Sequence, residues 1–299
     1  MKTGDEIPLF ELELDLPNER LRPLPDRLVG FAERFARIHK DLRLLIDYEG
    51  LTNWSKKLYG EVLPAVQSIQ DRYPLVIFHG DVGTGKTQTA EAVSDLLARE
   101  LKKEARLFKL STGVRGEGMV GQMTTLINRA FQLIVQDVGK SRLAFLIIDE
   151  GDSLAGSRNA AQSHHEDKVA VNTLIQKIDD LKKYNGRILV FLCTNRFTSL
   201  DPAIVRRSGR IEVFNRPDDS ERELLLKMDC GGLGLSDDFI KQLVQLTGPG
   251  KSADKLGFTF SDIRTRLVPA ALSKAFPDRR ITEDDLLEAV RSTIPSPSV

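Results

Sequence analysis

The chain has 299 residues, 41% hydrophobic and 29% charged, a soluble globular composition long enough for one large or two modest domains. Lysine plus arginine equals aspartate plus glutamate at 43 each, so no basic surplus marks a nucleic-acid binder. Cys193 and Cys230 are too few and too far apart for a disulfide framework or a zinc site, and no apolar run forms a signal core or reaches membrane-spanning length; a reducing cytoplasm, with neither membrane nor nucleic acid as partner, is expected.

Residues 1–25, an N-terminal arm, mix acid with leucine and turn proline-rich at Pro17, Pro23 and Pro25. The alternation from Phe10 to Leu16 fits either a short edge strand or an extended arm against a partner. From Asp26, a candidate N-cap, Leu28, Val29, Phe31 and Phe35 predict an amphipathic helix running towards Leu45. A linker with Trp54 and Tyr59 and a helical stretch from Val62 to Gln70 then lead to an apolar strand, Pro74–His79. Next comes Gly80-Asp81-Val82-Gly83-Thr84-Gly85-Lys86-Thr87, followed by a helix from about Thr87 to Lys103.

Arg106–Leu110 reads as a second strand, and four glycines between 113 and 121 make a loop before a helix from Gln122 to Gln136. Leu143–Ile148 is a continuous apolar run, as a central parallel strand should be, and it ends in Asp149-Glu150. A polar loop, Gly156–Glu166, precedes a helix from Asp167 to Lys182; His164 and His165 belong to this loop. Asn185-Gly186 turns the chain into a fourth strand, Arg187–Cys193, followed by Thr194-Asn195. Strands alternating with helices call for an α/β, doubly wound parallel sheet over residues 26–216. Only helical patterns follow, so 217–299 is expected to be a helical lid subdomain with a frayed end at Pro295–Ser298.

Strand, glycine loop and helix together make a phosphate cradle of the P-loop NTPase kind. The loop's N–H groups, with the helix N-terminus behind them, meet the phosphates of ATP. Lys86 would reach the β and γ phosphates, and the Thr87 hydroxyl and Asp149 would hold Mg²⁺. Glu150 is placed to deprotonate the attacking water and Asn195 to position it. In an open parallel sheet such ligands gather at the carboxyl ends of the strands, where all these residues stand. Arg207 and Arg210 flank a glycine after a short helix, and their forked guanidiniums suit a γ phosphate presented by a neighbouring subunit. The plainer readings are a glycine-rich turn, acids capping the next turn, and a solvated basic turn.

Gly80–Thr87, Phe145–Glu150, Thr194-Asn195, and Leu200–Ala203 with Arg207–Arg210 resemble, in order, the Walker A, Walker B, sensor 1 and arginine-finger regions of the AAA+ ATPases. The resemblance implies a homo-oligomeric ring, usually a hexamer. ATP would lie between one subunit's Asp81, Val82, Gly83, Thr84, Gly85, Lys86, Thr87, Gln88, Asp149, Glu150 and Asn195 and the next subunit's Arg207 and Arg210. Leu28-Val29-Gly30 resembles the box lining the adenine pocket. Thr259–Arg264 falls where sensor 2 is expected, with Arg264 as candidate and Arg266 also available. Gly118-Met119-Val120-Gly121 occupies the place of the pore loop, with Met119 as the gripping side chain.

Ile148–Asn159 and Val171–Lys182 are similar to the pachytene-checkpoint family, which implies ATP-driven remodelling of a HORMA-domain protein. The short stretch before the cradle resembles bacterial members found beside cyclic-nucleotide antiphage systems. A DNA-handling AAA+ ATPase is the alternative, with zero net charge and no recognisable helix-turn-helix counting against it.

Overall fold

A computed structural model describes residues 8–110, 122–151, 165–250 and 256–298. They pack as two compact units. One holds the residues up to Pro25, Ala32–His79 and Thr87–Glu212; the other holds Asp26–Phe31, Gly80–Lys86 and the chain from Val213 on.

The first unit is built on the sheet. Strands β1 (Phe10–Leu16), β2 (Leu75–Gly80), β3 (Ala105–Leu110), β4 (Leu143–Ile148), β5 (Ile188–Thr194) and β6 (Arg210–Phe214) lie in the order β1-β3-β4-β5-β2-β6. The pairs β3/β4, β4/β5 and β5/β2 are parallel. Every residue of β4 and β5 is buried, as sheet strands covered on both faces must be. On one face Ile77, Leu146, Ile148 and Val190 join Ile127, Phe131, Leu174 and Ile178 in a single core. Phe78, Phe145 and Phe191 are also fully buried, with the Phe78 and Phe191 rings 5.3 Å apart. Each such side chain contributes about 1.5–3 kcal/mol of burial.

Of the two readings of Phe10–Leu16, the edge strand is the observed one: β1 pairs antiparallel with β3. Its outward acids meet the bases of β3, Glu13 to Arg106 at 3.1 Å and Glu11 to Lys109 at 3.3 Å. Exposed pairs of this kind are worth about 0–1 kcal/mol each, and the buried Phe10 ring, 4.9 Å from that of Phe108, anchors the strand as well.

The structure departs from the expected elements in several places. The helix expected to start at Asp26 is interrupted: α1 (Leu24–Arg27) and α2 (Phe31–Ile46) are separated at Gly30, whose φ of +72° breaks the helical path. The linker carrying Trp54 and Tyr59 is itself a helix, α3 (Tyr48–Tyr59), capped by the Asp47 carboxylate accepting from Gly50 N–H and stopped at Gly60. The next helix, α4, spans Pro64–Ile69. His165 opens α7 (His165–Leu181) rather than closing the loop before it. Strand β6 has no counterpart among the expected strands. Helices α5 (Lys86–Leu101) and α6 (Gln122–Val138) stand where the periodicity places them. Met119, Val120 and His164 lie outside the described residues.

Beyond α8 (Pro202–Val205) and β6, the second unit is helical: α9 (Asp219–Asp229), α10 (Asp237–Thr247), a π turn at Asp262–Leu267, α11 (Val268–Ala275) and α12 (Glu283–Ser292). Reciprocal capping boxes start α9 at Asp218/Glu221 and α12 at Thr282/Asp285. Leu225, Leu226, Phe239, Leu243, Ile263 and Leu286 form its core, into which Val29 inserts. The end is not frayed. Ser296 donates to the buried Asp262 from its amide (3.0 Å) and its hydroxyl (2.7 Å), which fixes the segment after α12.

Candidate active site

Three central strands deliver their carboxyl ends to one edge of the sheet. Ile148 pairs with Leu192 and His79 with Thr194, so Asp149-Glu150 and Asn195 leave β4 and β5 at the edge from which β2 runs into the glycine loop.

At the start of α5 the Thr87 hydroxyl donates to Asp149 Oδ2 at 2.8 Å. The same carboxylate oxygen lies 3.7 Å from Lys109 Nζ, and its other oxygen accepts from Glu150 N–H at 3.0 Å. A hydroxyl beside a carboxylate is the hard-oxygen donor set a small divalent cation takes. Glu150 is exposed and sits at φ +49°, a left-handed conformation costing a non-glycine residue about 1–2 kcal/mol. The turn is held by Gly151 N–H donating to Cys193 O at 2.7 Å. Lys102 and Asn185 adopt nearly the same φ, so what sets Glu150 apart is an exposed carboxylate next in sequence to a candidate cation ligand. Burial, with Asp149 and Glu11 adding, raises the Glu91 carboxyl above its usual range against the pull of Lys109.

The loop itself turns through Gly80, Gly83 and Gly85 at φ of +141°, +71° and +88°. At Gly83 the absence of a side chain is also a packing requirement, because a Cβ there would meet Ser261 Cβ at 2.6 Å and Thr259 Oγ1 at 2.8 Å. The Gly83 carbonyl accepts from Ser261 N–H at 3.0 Å. Lys86 is 6% exposed, and its ammonium donates to the carbonyls of Gly80 (3.0 Å) and Asp81 (2.7 Å). Asp81 O also accepts from the Thr84 hydroxyl at 2.8 Å. Val82 and Gln88 are exposed. Glycine-loop amides, a lysine and a helix N-terminus together fit a nucleotide's phosphates.

Val29 and Gly30 belong to the same unit as the loop, and the neighbouring Leu28 reaches to 3.6 Å from where a Gly85 Cβ would stand. Arg264 pairs with Asp229 at 2.8 Å and donates to the Arg27 carbonyl at 2.7 Å, whereas Arg266 pairs with Asp262. The segment Arg27–Gly30 and Arg264 are thus neighbours.

Arg207 and Arg210 are engaged on their own chain. Arg207 makes a two-pronged pair with Asp179 (2.5 and 2.9 Å) beside the Tyr73 ring. Arg210 bridges Asp41 and Glu212, both at 2.9 Å, and Glu212 also accepts from Arg37 at 2.5 Å. Burial opposes it, yet the hydrogen bonds from Arg37 and Arg210 hold the Glu212 carboxyl below its ordinary value of 4.5.

Two residues went unpredicted. Lys109 had a signal, being a charge next to the carboxyl end of β3, where an open parallel sheet gathers its ligands. Arg216, 2.5 Å from Asp81, had none, since it is distant in sequence and lies outside every motif.

Comparison with known proteins agrees with this geometry. Residues 76–217 match the model of the ATPase family associated with various cellular activities (AAA). The chain is 50% identical over 290 residues to CD-NTase-associated protein 6 of Escherichia coli strain KTE188, covering 97% of both chains. Among solved structures it resembles a chain of the E. coli MS115-1 HORMA:CdnC:Trip13 complex at TM-score 0.87, with 39% identity and 97% of each chain covered. It also resembles Rhizobiales Trip13 at TM-score 0.71, with 34% identity, covering 97% of this chain and 100% of that one. No helix among the described residues is long and apolar enough to cross a membrane. With end-to-end relatives of this kind and a strand, glycine loop and helix to match, the chain belongs to the AAA ATPase family.

Proposed function

We propose that this ATPase assembles into a ring, a hexamer by family resemblance, and spends ATP on partly unfolding a HORMA-domain protein in a cyclic-nucleotide antiphage signalling system. The observation that carries the reading is the end-to-end likeness to a chain solved together with a HORMA protein and CdnC. Each residue then has a task. Asp81 to Lys86 hold the phosphates of ATP, with Thr87 and Gln88 continuing the helix N-terminus behind them. Val29 and Gly30 line the adenine pocket, and Arg264 is the second sensor.

Thr87 and Asp149 would hold Mg²⁺, which when bound would supply positive charge beside the phosphates. Glu150 takes the proton of the attacking water and Asn195 orients that water. Arg207 and Arg210 serve the next subunit's nucleotide, and Met119 and Val120 grip the substrate in the pore. Glu150→Gln tests this directly. The variant should bind ATP, hydrolyse it at least about a hundredfold more slowly, and retain a HORMA-domain protein in a pull-down with ATP. Unchanged turnover would remove Glu150 from catalysis, and a trap that retains no HORMA protein would remove the substrate.

A further inference from the structure

Asp81 is the hub of the glycine loop. Its carbonyl accepts from both Lys86 and Thr84. What fixes Asp81 itself is Arg216, which follows β6. Its Nε donates to Asp81 Oδ2 at 2.5 Å, Nη1 to the Gly257 carbonyl at 2.6 Å, and Nη2 to the Ser296 carbonyl at 2.7 Å. All three guanidinium nitrogens are thus used in different directions, on a side chain 13% exposed. A lysine has one nitrogen and cannot reproduce the fork.

The third partner lies in the segment Ile294–Ser298, which is held from both sides. Ser296 is tied by two hydrogen bonds to Asp262, itself 1% exposed, and Ser298 Oγ donates to Asp81 Oδ1 at 3.3 Å. Burial opposes it, but these bonds and those from Thr259 keep the Asp262 carboxyl below its ordinary value, so it remains an acceptor for the strap. The same π turn that carries Asp262 follows Ser261, whose amide holds the Gly83 carbonyl. Loop, turn and tail therefore close a ring of hydrogen bonds through Arg216.

We infer that Arg216 is a positioning residue for the phosphate-binding loop, acting through Asp81, and that Ile294–Ser298 is a strap holding Arg216 in place. Lys86 and the loop amides meet the phosphates before and during the reaction, so loosening their anchor weakens binding of ATP without slowing the chemical step.

The test measures kcat and KM for ATP, and affinity for a fluorescent ADP, on the full chain. Arg216→Lys should raise KM and the dissociation constant about tenfold, the loss of one charge-assisted hydrogen bond, with kcat within about twofold. Asp81→Asn, which keeps the shape of the side chain, should shift KM in the same direction, so the outcome does not depend on Arg216→Lys folding. Ser296→Pro removes both donors to Asp262. It should raise KM alone, and add little in the presence of Arg216→Lys, because the two act through one path. An unchanged KM in folded Arg216→Lys and Asp81→Asn would overturn the positioning role. A Ser296→Pro effect fully additive to that of Arg216→Lys would overturn the strap.

Discussion

Replacing Gly83 by alanine separates backbone strain from close packing in the phosphate cradle. A left-handed φ costs alanine about 1–2 kcal/mol, and Gly83 is at +71°. The added Cβ also meets Ser261 Cβ at 2.6 Å and Thr259 Oγ1 at 2.8 Å, an overlap costing about 1–3 kcal/mol more once the neighbours shift. The sum is about 2–5 kcal/mol. Gly232 supplies the control: its φ is +84° and a Cβ there has nothing within 4 Å, so Gly232→Ala should lose only the strain, about 1–2 kcal/mol. Urea unfolding of both variants gives the difference, and fluorescent-nucleotide binding shows where the loop has moved. Gly83→Ala should bind at least about tenfold more weakly, since only 1.4 kcal/mol of loop displacement is needed for that, while Gly232→Ala binds normally. Equal destabilisation of the two variants, with nucleotide affinity intact in both, would refute the close approach of loop to π turn.

Arg207→Ala should cut ATP turnover by about a thousandfold or more with little loss of nucleotide binding, leaving Asp179, already 40% exposed, to solvent. Mixing it with Lys86→Ala protein should restore some turnover; no recovery in assembled mixed rings would count against a site shared between subunits. Glu212→Gln should destabilise the chain by about 2 kcal/mol at neutral pH, the value of a hydrogen-bonded charge. Since its carboxyl titrates below 4.5 when folded, that stabilisation is present above the ordinary value and fades as pH falls through the folded one. The gap between wild type and Glu212→Gln in thermal unfolding should therefore narrow in acid.

The parts legible in the sequence were those written locally. β4 declares itself by six consecutive apolar residues, and the cradle by glycines at fixed offsets from a lysine. What escaped was decided by distant partners. Alternation alone could not choose a fate for Phe10–Leu16; the free edge of β3, almost a hundred residues on, takes it up as a strand, with Phe10 buried against Phe108. Pro295–Ser298 has the composition of a loose end, and it is ordered because Asp262 is buried with room for two donors. Tyr48–Tyr59 carries apolar residues at helical spacing yet buries only Ser55, so little core contact announces it; its ends are set by the caps at Asp47 and Gly60. Arg207 and Arg210 stood out as charge around a glycine, yet nothing nearby pointed to their partners Asp179 and Asp41.

Opening of a closed HORMA-domain protein by the purified chain, followed by release of its bound peptide, joins hydrolysis to substrate in one measurement. With wild-type protein and ATP the peptide should leave progressively, and with Glu150→Gln or with ADP it should stay bound. Release at the same rate without hydrolysis, or no release by an ATPase-active ring, would contradict a HORMA-remodelling motor.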